Sequence, residues 1–525
     1  MATTPKIQMS PLTRELSENS PKSADSTAAA TGLSSPLSNT THPTTLNRAV
    51  SRISTQSNIE YRVYKRRFFG LVQLMLLNIV VSWDWLAFAP VSQTAALYFQ
   101  TTESVINWFS TAFLFAFVVA TPVTFWALNK HGPKLSIMIA SILLLIGNWI
   151  KYGGTRANSI GTTMLGQLLI GFAQPFVLSA PTCYSNLWFS SSGRTSATAL
   201  ASLSNPLGGA LGQLITPFWV NSKPGNLPNS ILYVSIISSV ACIPSFFIPH
   251  SPPTPPSAGA ATSTHLTTTP TLAGEMVALL ASPEFYLIFT PFVVYVGLFN
   301  AMSSLLNQIL GPYGFSEDNA GIAGAILIVV GLVSAAISSP LVDKYKPYLW
   351  YMRVSVPLLA FSYLVFIWAP ASRSLAFVFV MCALIGASSF GLVPVTLEFL
   401  VEIHYPLGPE LSSSLCWCGG QLLGGIFIVI MTALRAGKHA NPSENMTHAL
   451  WFQTILAMLA MPVPLCLGLF GRKSATRTKR FEVDKEGQGQ RVVEQVVDVA
   501  VADREITNHA DDEAVGTDQP GRDLV

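Results

Sequence analysis

Long apolar runs alternate with short polar stretches over most of the chain, and this pattern predicts a membrane protein. An α-helix needs about 20 apolar residues to cross the hydrocarbon core of a bilayer. Twelve runs come close to this length. They lie at residues 68–94, 106–128, 134–152, 161–183, 195–219, 229–248, 284–309, 319–341, 347–369, 373–398, 412–435 and 449–470. The predicted fold class is therefore an all-α membrane protein with twelve transmembrane helices.

Polar segments divide the twelve predicted helices into two groups of six. The stretch HSPPTPPSAGAATSTHLTTTPT is a linker rich in Pro, Ser and Thr at the midpoint of the chain. Polar tails with few apolar residues precede the first helix and follow the last, and we expect both to be disordered. The predicted organisation is a cytoplasmic tail (1–60), a six-helix half (61–249), a cytoplasmic linker (250–283), a second six-helix half (284–471) and a cytoplasmic tail (472–525).

The composition agrees with a polytopic membrane protein and excludes several functions. Of the 525 residues, 50% are hydrophobic and only 11% are charged, whereas a soluble domain carries about 25% charged residues. The net charge of +3 is small and no basic cluster interleaves with aromatics, so there is no reason to expect a nucleic-acid partner. The sequence shows no nucleophile–base pair, phosphate loop or metal-ligand cluster. We therefore expect no enzyme activity, cofactor or metal.

Basic residues at the two ends of the membrane block predict its orientation. Four lie at 62–67, just before the first helix, and five lie at 472–480, after the last. Because basic residues favour the cytoplasmic side, both termini are predicted to be cytoplasmic. The sequon Asn445-Met446-Thr447 then falls in an outer loop, which makes Asn445 a candidate for glycosylation. We expect the plasma membrane, with a vacuolar, lysosomal or other organelle membrane as the alternative.

A short loop follows the second predicted helix of each half. The first reads LNKHGPK and the second LVDKYKP, so that Asn129-Lys130 corresponds to Asp343-Lys344. The repeated loop resembles the G-x-x-x-D-(R/K)-x-G-(R/K) loop of the major facilitator superfamily, which implies a role in gating between the two halves. The preference for basic residues on the cytoplasmic side explains the lysines equally well, so both interpretations stay open.

Longer motifs give a closer resemblance that covers roughly residues 61–470. The segments NWFSTAFLFAFVVATPVTFWALNKHG, GQLLIGFAQPFVLSAP and LEFLVEIHYP resemble the feline leukaemia virus subgroup C receptor-related transporters. That branch includes haem-, choline- and ethanolamine-associated members. The resemblance implies a solute carrier with a central cavity between its halves, a small-molecule substrate and a lipid bilayer as its surroundings. We expect it to be a monomer.

The resemblance also implies which residues bind the substrate. Trp85 matches the tryptophan of the aromatic cage in choline-carrying members, and Gln174 and Gln421 match glutamines of the cavity wall. Asn300 stands where those members have the cage tyrosine, which is a departure from their pattern. Gln308 follows Asn300 by eight residues on the same predicted helix and is expected to face the same way.

The stretch VVSWDWLAFAP places a carboxylate, Asp84, near the middle of the first apolar run. A charge at that depth costs at least about 2.5–3.5 kcal/mol, so it needs a partner or a water-filled cavity. No Lys or Arg in the other eleven runs lies deep enough to be the expected partner. Asp84 is therefore predicted to face the cavity, where it binds a cation beside Trp85 or carries a proton. The alternative is a hydrogen bond from Asp84 to a neighbouring helix.

Two acidic residues, Glu398 and Glu402, lie one turn apart at the end of the tenth predicted helix. They are predicted to form a cytoplasmic gate or a salt bridge with Arg194 or Lys344. Proton coupling through these residues is the weaker alternative.

Three functions remain open at this stage. The first is a transporter that moves a small organic cation or amine, similar to choline or ethanolamine, by alternating access. The second is a broad exporter of hydrophobic small molecules or a haem-type transporter. The third is a membrane receptor or sensor that does not transport.

Overall fold

The structure is a computed structural model that describes residues 62–254, 256, 272–345, 347–404 and 409–467. Both predicted tails, and residues 255 and 257–271 of the predicted central linker, lie outside the described residues. The described part is almost entirely helical. A short helix, Leu272–Leu280, precedes the second half.

The helices form twelve consecutive segments that we call spans 1 to 12. Spans 1 to 6 are Arg66–Tyr98, Glu103–His131, Pro133–Arg156, Ile160–Trp188, Ser191–Val220 and Pro224–Phe247. Spans 7 to 12 are Pro283–Tyr313, Glu317–Tyr345, Tyr348–Phe366, Leu375–His404, Pro409–Ala433 and Thr447–Leu465. The predicted membrane fold is confirmed.

Eleven of these segments, all except span 5, are long and apolar enough to cross a membrane. Span 5 has 30 residues but begins SSGRTSATALASLSNPLGG, which is rich in small polar residues. It packs between span 1 and span 8. A Cβ on Gly208 would overlap the backbone of Ile79 in span 1, so the two helices approach as closely as small residues allow. Span 5 is therefore positioned by close contacts with the spans on both sides of it.

Three spans are interrupted. Span 1 consists of the helices Arg66–Trp85 and Ser92–Tyr98, joined by a 3₁₀ turn at Ala89–Val91. Span 4 is broken between Ile160–Leu178 and Ala180–Trp188, and span 12 between Thr447–Ala460 and Pro462–Leu465. A backbone that leaves the helix at membrane depth is tolerated where protein covers it or where it lines a cavity.

The two halves repeat one packing pattern. Span 1 packs on span 5, span 2 on span 4, and span 3 on spans 4 and 6. In the second half, span 7 packs on span 11, span 8 on span 10, and span 9 on spans 10 and 12. The halves meet mainly through spans 2 and 11 and through spans 5 and 8. This arrangement leaves a central space between the halves.

The first of the two repeated loops forms a tight turn, as its sequence predicts. Span 2 ends at His131 and span 3 begins at Pro133. Gly132 joins them with φ +75°, a conformation that glycine adopts without steric cost. The corresponding loop of the second half includes residue 346, which lies outside the described residues.

Candidate functional site

A cavity lies between the two halves and contains about 940 Å³ of empty space, counting its open side. Its wall comes from spans 1, 4 and 5 of the first half and from spans 7 to 11 of the second. A space shared by both halves is the place where alternating-access transporters bind their substrates.

Among the described residues that line the cavity, six are aromatic, four are neutral amides and none is charged, and most of the others are aliphatic. The aromatic residues are Trp85, Phe292, Tyr295, Phe299, Phe390 and Trp417. The amides are Gln174, Asn205, Asn300 and Gln421. The cavity therefore offers π faces and hydrogen-bonding groups but no full counter-charge.

Trp85 reaches the cavity from the last residue of the first helix in span 1. Its ring stacks on Phe113 of span 2, with a centroid separation of 6.4 Å and an interplanar angle of 21°. The indole Nε1–H is buried without a hydrogen-bond partner in the described residues. The neighbouring Trp83 instead stacks on Trp219 of span 5, so that only one of the two tryptophans faces the cavity.

The amides hold one another and leave polar atoms unpaired. Asn300 Nδ2 donates to Gln421 Oε1 at 2.9 Å, which joins span 7 to span 11. Gln174 Oε1, which lies in the wall, is buried without a hydrogen-bond partner in the described residues. An unpaired buried polar group costs about 1–3 kcal/mol. A polar solute that reached this oxygen would offset that cost.

Asp84 does not line the cavity, and the prediction that it has no cationic partner is wrong. Its side chain is 0% exposed and forms an ion pair with Lys151 of span 3. Oδ2 also accepts from Asn148 Nδ2 at 2.8 Å and from Ser238 Oγ at 3.2 Å. The alternative prediction, a contact between helices, therefore holds. The carboxylate lies between spans 1, 3 and 6, so a direct contact between Asp84 and the substrate has no support in this structure.

The cationic partner of Asp84 was missed because the sequence placed the end of span 3 too early. The hydropathy pattern ended the predicted helix at residue 152, which left Lys151 beside the membrane surface. In the structure, the helix continues to Arg156, so Lys151 lies within it and is 0% exposed. In the helical sequence YGGTR, Gly154 allows spans 3 and 4 to approach closely, since a Cβ there would overlap the backbone of Thr163.

Gln308 does not line the cavity either. It lies near the end of span 7, where its amide forms two reciprocal hydrogen bonds with Asn107 of span 2. Asn107 Nδ2 also donates to Thr432 Oγ1 of span 11 at 2.9 Å. Gln308 therefore helps to join the two halves at one end of the bundle, which we call the sealed face. The sealed face carries the loops at 99–102, 314–316 and 434–446.

Further polar contacts across the sealed face were not predicted from the sequence. Glu317 at the start of span 8 accepts from the backbone N of Thr94 at 3.0 Å and from its Oγ1 at 2.6 Å. Arg435 contacts Glu103 of span 2 at 2.9 Å and Glu444 of its own loop at 2.8 Å. These side chains sit at helix ends, where an acidic or basic residue is an ordinary feature of a sequence.

The predicted gating residues at the opposite end are only partly described. The side chains of Asn129 and Asp343 lie outside the described residues, so their roles stay predictions. Lys130 Nζ lies 5.5 Å from the ring centroid of Trp126, and Lys344 Nζ lies 5.3 Å from that of Tyr345.

The two acidic residues of span 10 face inward to different degrees. Glu402 is buried and Glu398 is half-buried, and both interact with neighbouring groups. The predicted partner Arg194 has its side chain outside the described residues, so the predicted salt bridge stays a prediction.

The glycosylation candidate Asn445 has a structural role. Its Nδ2 donates to the carbonyl of Pro442 at 2.8 Å, and its Oδ1 accepts from the backbone N of Thr447 at 3.1 Å. The residue is only 8% exposed. The folded loop thus holds the amide that a glycan would need, and this geometry argues against the predicted modification.

The same helical arrangement and sequence pattern occur in known proteins. A sequence model of the Major Facilitator Superfamily matches residues 74–415. The chain belongs to the major facilitator superfamily. Its fold is similar to that of a bacterial homologue of the human lysosomal transporter Spinster, in an inward-facing and occupied conformation. The TM-score is 0.58 at 14% sequence identity, over 77% of this chain and 97% of that one.

Relatives within the superfamily confirm the resemblance to the feline leukaemia virus subgroup C receptor-related branch. Solute carrier family 49 member A3 of Danio rerio is 32% identical over 444 residues, which cover 82% of this chain and 92% of the relative. The choline/ethanolamine transporter FLVCR1 of Mus musculus is 27% identical over 424 residues, which cover 75% of each chain. This member of the major facilitator superfamily is a multi-pass membrane transporter for a small-molecule solute.

The described residues offer no site for a metal ion. They contain no group of three or more His, Cys, Asp or Glu side chains that could hold one.

Proposed function

We propose that this transporter carries an organic cation of the quaternary ammonium class, similar to choline, by alternating access of the central cavity. The observation that carries the proposal is the cavity wall, which combines six aromatic residues with four amides and no charged side chain. A cation over an aromatic face gains about 0.5–2 kcal/mol, most strongly over an indole. Trp85 and Trp417 supply two such indoles.

The lack of a carboxylate in the wall favours a quaternary over a primary ammonium. A primary ammonium has three N–H donors that must find acceptors when it leaves water. A trimethylammonium group has none and presents only apolar methyl groups to the rings. The unpaired Gln174 Oε1 is then available to a hydroxyl elsewhere on the solute. Choline has both of these parts.

The names of relatives support this cargo without deciding it. FLVCR1 of Mus musculus is named a choline/ethanolamine transporter, whereas the name of solute carrier family 49 member A3 gives no solute. Asn300, in place of the cage tyrosine, is one departure from choline-carrying members. In this cavity, Tyr295 and Phe299 of the same span supply aromatic rings beside it.

We further propose that the sealed face is the outer face and that both termini are cytoplasmic, in agreement with the basic residues at 62–67. A monomer in the plasma membrane would then bring in its cation along the membrane potential, which contributes about 2.3 kcal/mol per charge for each 100 mV. Transport of this kind needs neither proton coupling nor catalysis.

The test is radiolabelled choline uptake by cells that express the native chain or Trp85→Leu. Leucine keeps an apolar side chain but removes the π face. We expect the choline KM to rise by about 2- to 30-fold, which corresponds to the loss of one cation–π contact. Competition by 3,3-dimethylbutan-1-ol, a neutral compound of choline's shape, should change little. Trp451→Leu is the matched control, since that indole lies on span 12 at 44% exposure and outside the cavity.

One alternative is favoured by the same uncharged wall. An exporter of hydrophobic small molecules would use the rings as apolar surface only. If Trp85→Leu weakened the binding of choline and of its neutral analogue equally, this second function would replace the first.

A further inference from the structure

Two opposite charges, Asp84 and Lys151, are completely buried in the first half and take no part in the cavity wall. Buried ion pairs are weak evidence for stability, because well-packed apolar residues often replace them without loss. Ionisable groups inside a membrane are expensive and are therefore functional candidates. The position of this pair beside Trp85 suggests what it does.

Asp84 ties the end of a helix to three other spans. Its carboxylate contacts Lys151 and Asn148 of span 3 and Ser238 of span 6. Its backbone carbonyl accepts from Gln167 Nε2 of span 4 at 3.0 Å. The carbonyls in the last turn of a helix lack partners within the helix, so an outside donor fixes the place where the helix ends.

The helix ends one residue later, at Trp85. Successive side chains on an α-helix point about 100° apart, because the helix has 3.6 residues per turn. When Asp84 points to spans 3 and 6, Trp85 has to point to the cavity and Trp83 to span 5, as observed. The backbone then leaves the helix until the turn at Ala89–Val91, and Phe88 in this stretch stacks on Phe109 of span 2. The contacts of Asp84 are the polar contacts at the helix end itself.

We propose that the Asp84–Lys151 ion pair fixes the rotation of this helix end and thereby holds the Trp85 indole in the cavity wall. Asp84 and Lys151 are thus positioning residues for substrate binding. Asp84 acts through Trp85 and does not touch the solute itself. The role of Trp85 in binding rests on the proposed function, whereas its orientation does not.

The first experiment measures orientation and needs no substrate. Trp85→Cys is introduced alone and together with Asp84→Asn/Lys151→Met, which removes both charges at once and leaves neither unpaired. The rate of labelling with N-ethylmaleimide is read by mass spectrometry on the peptide that contains residue 85. Chains that keep Trp85 give the background from the native cysteines. We expect the neutral pair to slow labelling severalfold, because residue 85 leaves the wall. An unchanged or faster rate overturns the proposal.

A matched control separates rotation of this helix end from general loosening. Gln73 lies on the same helix and donates to Ala241 O and Ser245 Oγ of span 6. Gln73→Leu breaks those contacts far from the helix end. It should leave the labelling of residue 85 within about twofold of its original rate, the usual limit for independent sites. An equal slowing by Gln73→Leu would reduce the ion pair to a structural role and overturn the proposal.

The second experiment is a double-mutant cycle on choline uptake. With Trp85 present, neutralising the pair should raise the KM by no more than Trp85→Leu does, about 2- to 30-fold, and should change Vmax little. With Trp85→Leu, it should raise the KM no further. An equal rise in both backgrounds would overturn the proposal. If the native chain does not take up choline, the proposed cargo fails, and the labelling result still decides whether the pair orients residue 85.

Discussion

The contact between Glu317 and Thr94 allows a sharp prediction about how the transporter opens. Glu317 belongs to the second half and Thr94 to the first, so their two hydrogen bonds, of 3.0 and 2.6 Å, exist only while the sealed face is closed. Glu317→Gln removes the negative charge and replaces one acceptor oxygen by an amide nitrogen that cannot accept. At least one of the two charge-assisted bonds is lost, and the neutral bond that the amide can donate to the Thr94 hydroxyl is weaker.

The expected size of the effect follows from the charge. A hydrogen bond to a charged group contributes about 1.5–3 kcal/mol. Its loss should shift the equilibrium between closed and open sealed faces by about 10- to 150-fold toward the open state. Thr94→Val removes the hydroxyl bond and keeps the backbone bond, so it should act in the same direction. The double variant should show less than the sum of the two single effects.

The shift can be measured as a distance across the sealed face. Spin labels at Lys223, after span 5, and at Lys438, after span 11, move with different halves, and both positions are exposed. In double electron–electron resonance, a larger fraction of Glu317→Gln molecules than of native molecules should show a long distance between the two labels. The control is Thr111→Val, whose hydroxyl donates to Asn107 O within the same helix. Identical distance distributions in native and Glu317→Gln chains would refute the reasoning, and so would an equal shift in Thr111→Val.

Three further predictions concern packing, the sealed face and the outer loop. Gly166→Ala should lower the melting temperature of the purified protein, because its Cβ would overlap the backbone of span 3, whereas Gly161→Ala, on the same span with open space around it, should not. Asn107→Leu and Gln308→Leu should be coupled by about 0.6–1.7 kcal/mol in a double-mutant unfolding cycle, and additive losses would contradict their pairing. Asn445 should carry no glycan, so glycosidase treatment should leave the mobility of the native chain unchanged; a shift that Asn445→Gln abolishes would show the opposite.

Four of the six predicted binding residues do line the cavity: Trp85, Gln174, Asn300 and Gln421. Polar groups and a tryptophan within apolar runs stand out in a sequence, and the family resemblance placed them. Phe292, Tyr295, Phe299, Phe390 and Trp417 were missed, because an aromatic residue in an apolar helix can face lipid equally well. Phe299 lines the cavity, for example, while Phe361 of span 9 is 50% exposed.

The spacing of residues on span 7 could have revealed part of this wall. Phe299 and Asn300 follow Val296 by three and four residues, Val296 follows Phe292 by four, and the four residues share one helix face. Such a stripe alone does not tell whether the face meets a cavity or another helix. Gln308 illustrates the limit, because it continues the face of Asn300 by eight residues but lies beyond the cavity, at the sealed face.

Asp84 shows which information is missing from an apolar pattern. A buried charge is costly, so the inference from the sequence that Asp84 needs a partner was correct. Whether the partner is a cargo or a neighbouring helix depends on two quantities that the pattern does not fix: the depth at which span 3 ends and the rotation of span 1. The helix extends four residues beyond the predicted end of span 3, so Lys151 lies five residues before the helix end, where it pairs with Asp84. Trp85, one residue further and about 100° around the helix, then faces the cavity that the carboxylate was expected to fill.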